Sequence, residues 1–184
     1  MRPTHTVHVA FADTDPHRLL SRLLEHAYGF SAPHVSHSCP QCGSADHGRP
    51  ALAGRPEVSV SISRARDGSR VVAAACDSTR IGIDIEGVGA ADFEHFSSIA
   101  LHPREHCANS TERTRLWVRK EAILKAEGTG LARDPRTIAL APNGTVIEGT
   151  TATVYDLKAG SSWLCSLATM TSGLTEVQVH PQIP

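Results

Sequence analysis

Alternating apolar and polar positions organise the first part of the chain. This period-two pattern predicts three strands: residues 6–12, 57–64 and 70–77. Asp67-Gly68 lies between the last two and predicts a tight turn, so that pair is expected to form a hairpin. A helix is predicted between Asp15-Pro16 and Gly29, because leucines recur there at helical spacing: Leu19, Leu20, Leu23 and Leu24. Residues 31–55 are rich in His, Cys, Pro and Gly, which predicts a long loop.

The second part of the chain alternates as a strand over residues 81–86 and then becomes helical. Residues 90–107 predict two helical pieces interrupted at Pro103, and residues 112–127 predict a longer helix that ends at Gly128 and Gly130. Four further strands are expected in the tail: residues 136–140, 151–157, 163–169 and 174–179. Helices followed by strands in each half indicate an α+β protein with a division into residues 1–78 and 79–184.

The strand at residues 81–86 carries two carboxylates on one face. Asp84 and Glu86 point to one side, and the three isoleucines of the run point to the other. Two neighbouring carboxylates repel each other unless solvent or a cation lies between them. A solvated outer strand face and a cation site are both compatible with this run.

The helix at residues 112–127 carries a second set of chemically distinctive side chains. Trp117, Glu121 and Lys125 recur at intervals of four and share a face. The chain has three lysines against fifteen arginines, and two of the three lie in this helix. Retention of lysine there is typical of a position that needs a compact, mobile charge.

Composition excludes several classes of function. A net charge of -1 gives no overall signal of polyanion binding, and 4% aromatic residues leave little material for base stacking, so nucleic acid is not an expected partner. No signal peptide is evident, and the longest apolar run, residues 71–76, is too short to span a membrane. We therefore expect no membrane partner and a cytoplasmic location. Five cysteines without a secretory context do not indicate a disulfide framework.

The candidate chemistry is that of a metal and a phosphorylated ligand. Asp84, Glu86 and Glu121 supply oxygen ligands, which suit a hard cation such as Mg²⁺ that takes its remaining ligands from phosphates and water. Candidate phosphate-binding groups are Arg49, Arg64 and Lys125. Each of these alone is more often an ordinary surface charge, and the hypothesis depends on the set.

Two motifs in this order resemble a known family. Gly82-Ile-Asp-Ile-Glu86, followed by Trp117-Val-Arg-Lys-Glu-Ala-Ile-Leu-Lys-Ala-Glu-Gly-Thr-Gly-Leu131, resembles the 4'-phosphopantetheinyl transferase superfamily. The segment from Cys39 to Pro50 is similar to a Cys-x-x-Cys-Gly segment followed by His-Gly-Arg/Lys-Pro in bacterial members. The chain looks closest to the monomeric type that activates carrier proteins of polyketide and non-ribosomal peptide synthetases.

The resemblance implies a fold and an activity. The fold has two similar pseudo-twofold halves, each with helices packed on an antiparallel sheet. Residues 1–78 would hold the nucleotide loop, and residues 79–184 the metal site and catalytic helix. The activity is Mg²⁺-dependent transfer (Mn²⁺ is a possible substitute) of phosphopantetheine from coenzyme A to a serine of an apo acyl or peptidyl carrier protein. A monomer is expected.

The same resemblance implies roles for individual residues. Asp84, Glu86 and Glu121 match the metal ligands, and Glu121 and Lys125 match the catalytic base and the phosphate-contacting lysine. The positions that match contacts to coenzyme A are the following: Arg18, Gly48, Arg49, Pro50, Ser63, Arg64 and Lys125. The usual Ser-His of the family stands here as Ser63-Arg64, and a basic helical segment found before the first helix of relatives is missing.

Two other hypotheses stay open. Those two departures favour a non-catalytic protein of the same fold that binds coenzyme A or a carrier domain, whereas retention of all three carboxylates and Lys125 favours the enzyme. A zinc-binding interaction module built on Cys39 and Cys42, flanked by His37 and His47, has the spacing of half a zinc site. No second cysteine pair completes it, so the sequence favours reduced thiols over structural zinc.

Overall fold

The structure is a computed structural model that describes most of the chain. It describes residues 5–38, 43–44, 48–68, 71–76, 79–171, 173, 175–181 and 183, with the backbone alone for residues 38 and 71–73. Cys39, Cys42 and His47, which the sequence analysis considered as zinc ligands, lie outside the described residues.

The first half begins with a strand and a capped helix, as the sequence predicts. Its elements are β1 (His5–Ala12), α1 (Pro16–Tyr28), β2 (Val35–Ser38), β3 (Arg49–Leu52), β4 (Ser59–Arg64) and β5 (Val71–Cys76). The side chain of Asp15 accepts hydrogen bonds from the amides of His17 and Arg18, which satisfies two of the amides left free at a helix start. Gly29 ends α1 in the left-handed conformation, with φ of 68°.

The second half contains one long helix among strands. Its elements are β6 (Ile81–Gly87), α2 (Phe96–Ala100), α3 (Ser110–Glu127), β7 (Ala139–Leu140), β8 (Val146–Glu148), β9 (Thr153–Leu157), β10 (Trp163–Thr169) and β11 (Thr175–His180), with short 3-10 turns at Gly130–Ala132 and Pro135–Thr137. Asn109 caps the start of α3 and Gly128 ends it. No helix in the described part of the chain is long and apolar enough to cross a membrane.

The two halves have the same sheet topology. In the first, β1 pairs with β5 and β5 with β4; in the second, β6 pairs with β10 and β10 with β9, and all four pairings are antiparallel. The prediction of an α+β fold with two similar halves is therefore confirmed. The division at residue 78/79 stays a prediction, and one strand crosses it, since β11 pairs with β1 in parallel and extends the sheet of the first half.

Three apolar clusters define four layers. Leucines of α1 pack on Val60 and Ala75 of the first sheet. Val7 and Val9 of that sheet face Ile83 of the second across the central cluster. The third cluster lies between the second sheet and α3, so the layer order is α1, first sheet, second sheet, α3.

Serine hydroxyl groups of β4 join the two sheets along β6. Ser59 Oγ accepts a hydrogen bond from the Ile81 amide at 3.1 Å, and Ser61 Oγ accepts one from the Ile83 amide at 3.0 Å. These contacts satisfy backbone donors of β6 where the regular ladder of the first sheet ends. The junction places the end of β4 beside the acidic end of β6.

Three segments differ from the sequence expectations. Residues 31–55 were expected to form a loop, which is wrong in part, because β2 and β3 pair there as an antiparallel hairpin. Residues 136–140 form a 3-10 turn and a two-residue strand instead of one full strand. Of the two helical pieces expected over residues 90–107, α2 forms before Pro103, and the segment after it consists of turns and irregular backbone.

Candidate active site

The acidic face of β6 packs against α3. Asp84 is 5% exposed, and a Cβ atom at Gly82 would overlap the Ala122 carbonyl oxygen and the Ala126 amide, so helix and strand approach closely. Of the two alternatives for this strand, the solvated outer face is wrong. Burial at this junction brings Asp84 and Glu86 close to the two polar side chains of α3.

Lys125 and Ser63 surround one oxygen of Asp84. Lys125 Nζ donates to Asp84 Oδ1 at 2.6 Å and to the Ile83 carbonyl at 3.2 Å. Ser63 Oγ donates to the same Asp84 oxygen at 2.7 Å and accepts from Lys125 Nζ at 3.1 Å. Charge-assisted hydrogen bonds of this kind fix the position of a carboxylate.

The other oxygen of Asp84 is buried and differs from Oδ1 in its surroundings. Asp84 Oδ2 has no hydrogen-bond partner among the described residues. A buried carboxylate oxygen normally has a partner, and its lone pairs are the ligands that a hard cation prefers. As placed, no three or more His, Cys, Asp or Glu side chains in the described part of the chain form a group that could hold a metal ion.

Electrostatic coupling links the three predicted metal ligands. Burial raises the pKa of Glu121 to about 7, and the charge of Asp84 adds to that effect while Lys125 opposes it. Burial also raises the pKa of Glu86, although its Oε2 accepts a hydrogen bond from the Arg66 amide at 2.9 Å. Both shifts come first from the loss of solvent around the carboxylates, and the neighbouring acidic charges add to them.

A cavity of about 920 Å³ opens beside this cluster. Its walls come from the hairpin β2–β3, from β4, from α3 and from the turn after α3: His37, Gly48, Arg49, Pro50, Val60, Ser61, Ile62, Glu121, Lys125, Gly128, Thr129, Gly130, Leu131, Ala132 and Arg133. The volume is in the range of pockets that hold a cofactor-sized ligand.

Five of the predicted site residues line this cavity. They are Gly48, Arg49, Pro50, Glu121 and Lys125. Arg49 donates to Ser59 Oγ at 3.0 Å, and burial followed by repulsion from Arg80 lowers the pKa of its guanidinium. An arginine held between a hydroxyl group and a second arginine is suited to an anionic ligand.

The other predicted site residues lie elsewhere. Asp84 and Glu86 are not among the residues that line the cavity, although Asp84 contacts Lys125, and Ser63 is buried against Asp84. Arg64 is exposed, with a guanidinium nitrogen 3.7 Å from Asp15 Oδ2, and Arg18 lies on α1; neither is among the residues that line the cavity. Their assignment to a cofactor stays a prediction.

The sequence reasoning missed the turn that forms one wall. Arg133 donates to Glu127 Oε2 at 2.6 Å and to the Gly149 carbonyl, and Thr150 Oγ1 donates to Glu127 Oε1 at 2.7 Å. This network anchors the turn beyond α3. The glycines at 128 and 130 were its only signal in the sequence, and they indicated a helix end rather than a binding wall.

Comparison with known proteins identifies the family. No curated protein matches the chain. A family model described as 4'-phosphopantetheinyl transferase superfamily matches residues 80–172, the segment that holds β6, α3 and the acidic cluster between them. The chain therefore belongs to the 4'-phosphopantetheinyl transferase superfamily.

Proposed function

We propose that this chain transfers the 4'-phosphopantetheine group of coenzyme A to a serine hydroxyl of an apo acyl or peptidyl carrier protein, with release of 3',5'-ADP. Superfamily membership supports phosphopantetheine transfer in general. The observation that carries the finer proposal is the position of Glu121 and Lys125. Both residues line the cavity of about 920 Å³, Lys125 contacts buried Asp84, and the charge of Asp84 acts on Glu121. We also propose, as expected from the sequence, that the protein is a monomer located in the cytoplasm.

The cavity suits an extended anionic donor. Arg49, Lys125 and Arg133 place three cationic groups on walls that also include apolar Val60, Ile62 and Leu131. Coenzyme A combines phosphates with a less polar arm, so the cationic groups would contact the phosphates and the apolar residues would contact the arm. Lys125 is the group that would contact phosphate oxygens next to the acidic cluster.

The chemistry of the acidic side chains supports a magnesium ion as the cofactor. The donor set is carboxylate oxygen, and Asp84 Oδ2 is buried without a partner in the described chain, so we propose Asp84, Glu86 and Glu121 as ligands of Mg²⁺ or Mn²⁺. A bound ion would neutralise charge on the pyrophosphate oxygens and stabilise the leaving phosphate.

Glu121 is the proposed proton acceptor. The serine oxygen forms a bond to the phosphorus of the phosphopantetheine, the bond from that phosphorus to the bridging oxygen breaks, and 3',5'-ADP leaves with the electron pair. The serine proton passes to the Glu121 carboxylate. Without metal, burial raises the pKa of Glu121 to about 7; a bound cation would lower it, so the carboxylate would be ionised at neutral pH and able to accept the proton.

Intact mass spectrometry of an apo carrier protein tests this proposal. Incubation with the chain, coenzyme A and Mg²⁺ should add one phosphopantetheine, and a chelator or Asp84→Ala should abolish the gain. Glu121→Gln should still bind coenzyme A but transfer poorly, by about 10²-fold or more. Glu176→Gln, an exposed carboxylate on β11, is the matched control and should keep full activity.

Two outcomes would contradict parts of the proposal. Normal turnover in Glu121→Gln would remove the base assignment while leaving the activity intact. No mass gain on peptidyl, polyketide or fatty-acid carriers, with coenzyme A binding retained in calorimetry, would favour the non-catalytic binding protein.

A further inference from the structure

Two histidines from distant parts of the sequence meet at the edge of the hairpin β2–β3. His17 lies in the first turn of α1 and His37 lies on β2. Their Nε2 atoms are 3.3 Å apart, and the rings are nearly perpendicular at 75°. The hairpin continues through Gly48 to Arg49 and Pro50, which line the large cavity together with His37.

The second ring nitrogen of His37 is already held. Its Nδ1 lies 3.0 Å from the Gly48 carbonyl oxygen, and because a carbonyl can only accept, Nδ1 carries the proton. In the neutral ring Nε2 then has a free lone pair directed at His17. A histidine that donates one N–H to a backbone carbonyl and offers the other nitrogen has the arrangement usual for metal ligands.

The separation of the two nitrogens also fits a shared ion. Two imidazole nitrogens bound to one tetrahedral zinc at about 2.0–2.1 Å are roughly 3.3–3.4 Å apart. Both rings reach solvent, so an ion can enter and water can occupy open positions. The described residues offer no third His, Cys, Asp or Glu ligand for such a group.

We propose that His17 and His37 are ligands of one transition-metal ion of the zinc class, which links α1 to the hairpin β2–β3. Imidazole nitrogen suits Zn²⁺, Ni²⁺ and Co²⁺ and does not suit the hard cations proposed for the carboxylate cluster. The ion would hold the cavity wall at residues 48–50 in place. The proposal is independent of the transfer reaction.

The structure supplies a ligand that the sequence could not. The sequence hypothesis of a zinc site combined Cys39 and Cys42 with His37 and His47, and the contact from His17, twenty positions before His37, was not considered. The two cysteines stand two and five positions after His37 in the sequence and lie outside the described residues. The proposed site therefore rests on the two imidazoles of His17 and His37.

Metal content and cobalt absorption test the proposal on the full-length, untagged chain. Equilibrium dialysis of the wild-type chain against increasing free Zn²⁺ should saturate at one ion per chain by elemental analysis. His17→Asn and His37→Asn should each weaken the affinity by about 10²-fold in competition with a chromophoric chelator. Replacement by Co²⁺ should give visible ligand-field bands that both variants lose.

Two histidine variants serve as matched controls. His34→Asn alters an exposed histidine just before β2. His180→Asn removes a second contact between two histidines, in which His180 Nε2 lies 3.0 Å from His8 Nδ1. Both should retain the ion. Loss of the ion in His180→Asn with retention in His17→Asn would place the metal at the other histidine contact and overturn the proposal.

The cobalt spectrum and the metal content distinguish the remaining outcomes. A cobalt-thiolate charge-transfer band that disappears in the His17 and His37 variants supports the site and adds sulfur donors to it. The same band with unchanged affinity in both variants assigns the ion to cysteines alone and overturns the proposal. Sub-stoichiometric metal in the wild-type chain overturns it as well, and leaves the contact as an N–H to N hydrogen bond between two imidazoles.

Discussion

The ammonium group of Lys125 lies 2.6 Å from Oδ1 of Asp84 and ties α3 to β6 beside the cavity. The carboxylate is almost fully buried, with a side chain 7% exposed, whereas that of Lys125 is 29% exposed. Lys125 therefore both compensates a buried charge and presents a cation to the cavity.

Lys125→Met should impair both roles. Loss of the charge-assisted hydrogen bond leaves Asp84 without its ammonium partner, which should reduce the free energy of unfolding by ~1.5–3 kcal/mol. If Lys125 also stabilises charge on the transferred phosphate, kcat should fall by about 10²-fold or more. Urea unfolding and single-turnover transfer measure the two effects. Lys158→Met, the exposed lysine outside α3, is the control and should change neither quantity; equal turnover of the two variants would remove Lys125 from the reaction.

A second prediction concerns the close contact at Gly82. A Cβ atom there would overlap backbone atoms of Ala122 and Ala126, which cannot rotate away. Gly82→Ala should therefore separate α3 from β6 and lower the free energy of unfolding by ~1–3 kcal/mol. It should also lower activity, because Asp84 and Lys125 lie on the separated elements.

The last residue of the same strand provides the control. A Cβ atom at Gly87 would meet the side chain of Trp163 at 3.4 Å and the Ser162 carbonyl oxygen at 4.0 Å, which are ordinary contacts. Gly87→Ala should cost less than ~1 kcal/mol, since small changes without overlap are tolerated. Equal destabilisation of the two variants in urea would show that overlap with α3 is not the reason for glycine at position 82.

Local signals in the sequence predicted the bounds of several elements, although not the partners of the strands among them. β10 forms over the predicted residues 163–169, and α1 begins and ends at its predicted caps, Asp15 and Gly29. The hydrogen bonds of a helix cap lie within one helical turn, so the local sequence specifies them. Alternation along a strand indicates only which side of the strand is buried. The hairpin of β2 and β3 was missed because its pairing depends on backbone contacts between segments, such as His37 with Pro50, and not on alternation.

The features of the site that the sequence did not predict depend on contacts between segments that are distant in the sequence. The motifs identified Asp84, Glu121 and Lys125, but only packing shows that β6 presents its acids to α3 instead of to solvent. The wall at residues 128–133 depends on Glu127 contacts with Arg133 and Thr150, which no local pattern marks. β11 reaches β1 from the opposite end of the chain, a pairing that alternation cannot specify.

The two lysines of α3 differ in their surroundings, which the composition could not show. Lys120 is 0% exposed and donates to Glu105 Oε2 at 2.6 Å, to the Ala100 carbonyl at 2.6 Å and to the Pro135 carbonyl at 3.1 Å. It is a structural cation, whereas Lys125 faces the cavity. The compact ammonium suits both places, for different reasons.

Removal of that buried ammonium is the third prediction. Lys120→Met leaves Glu105, whose side chain is 2% exposed, as an uncompensated buried carboxylate, and should cost ~3–5 kcal/mol of unfolding free energy. The double variant Lys120→Met/Glu105→Gln should recover part of this loss, because it removes the orphaned charge. Chemical unfolding of the three proteins provides the comparison, and a double variant no more stable than Lys120→Met would mean that the ion pair is not the main contribution.

The carboxyl group of Glu121 gives the chain a specific pH dependence in the absence of metal. Burial, with Asp84 next, raises its folded pKa from 4.5 to about 7. Between these values the folded state binds a proton that the unfolded state has lost, so stability falls as pH rises through this window. Below about pH 4.5 both states are protonated and the penalty is absent.

Glu121→Gln should remove this penalty. In chelator, the variant should exceed the wild-type chain in melting temperature at pH 8 and approach it at pH 5, because an amide does not ionise. Added Mg²⁺ should stabilise the wild-type chain more than the variant at pH 8, since the ion compensates the carboxylate. Differential scanning calorimetry at the two pH values, with and without Mg²⁺, measures both effects. Parallel melting curves for the two proteins across this range would show that Glu121 ionises normally, and would contradict the effect of burial on its carboxyl group.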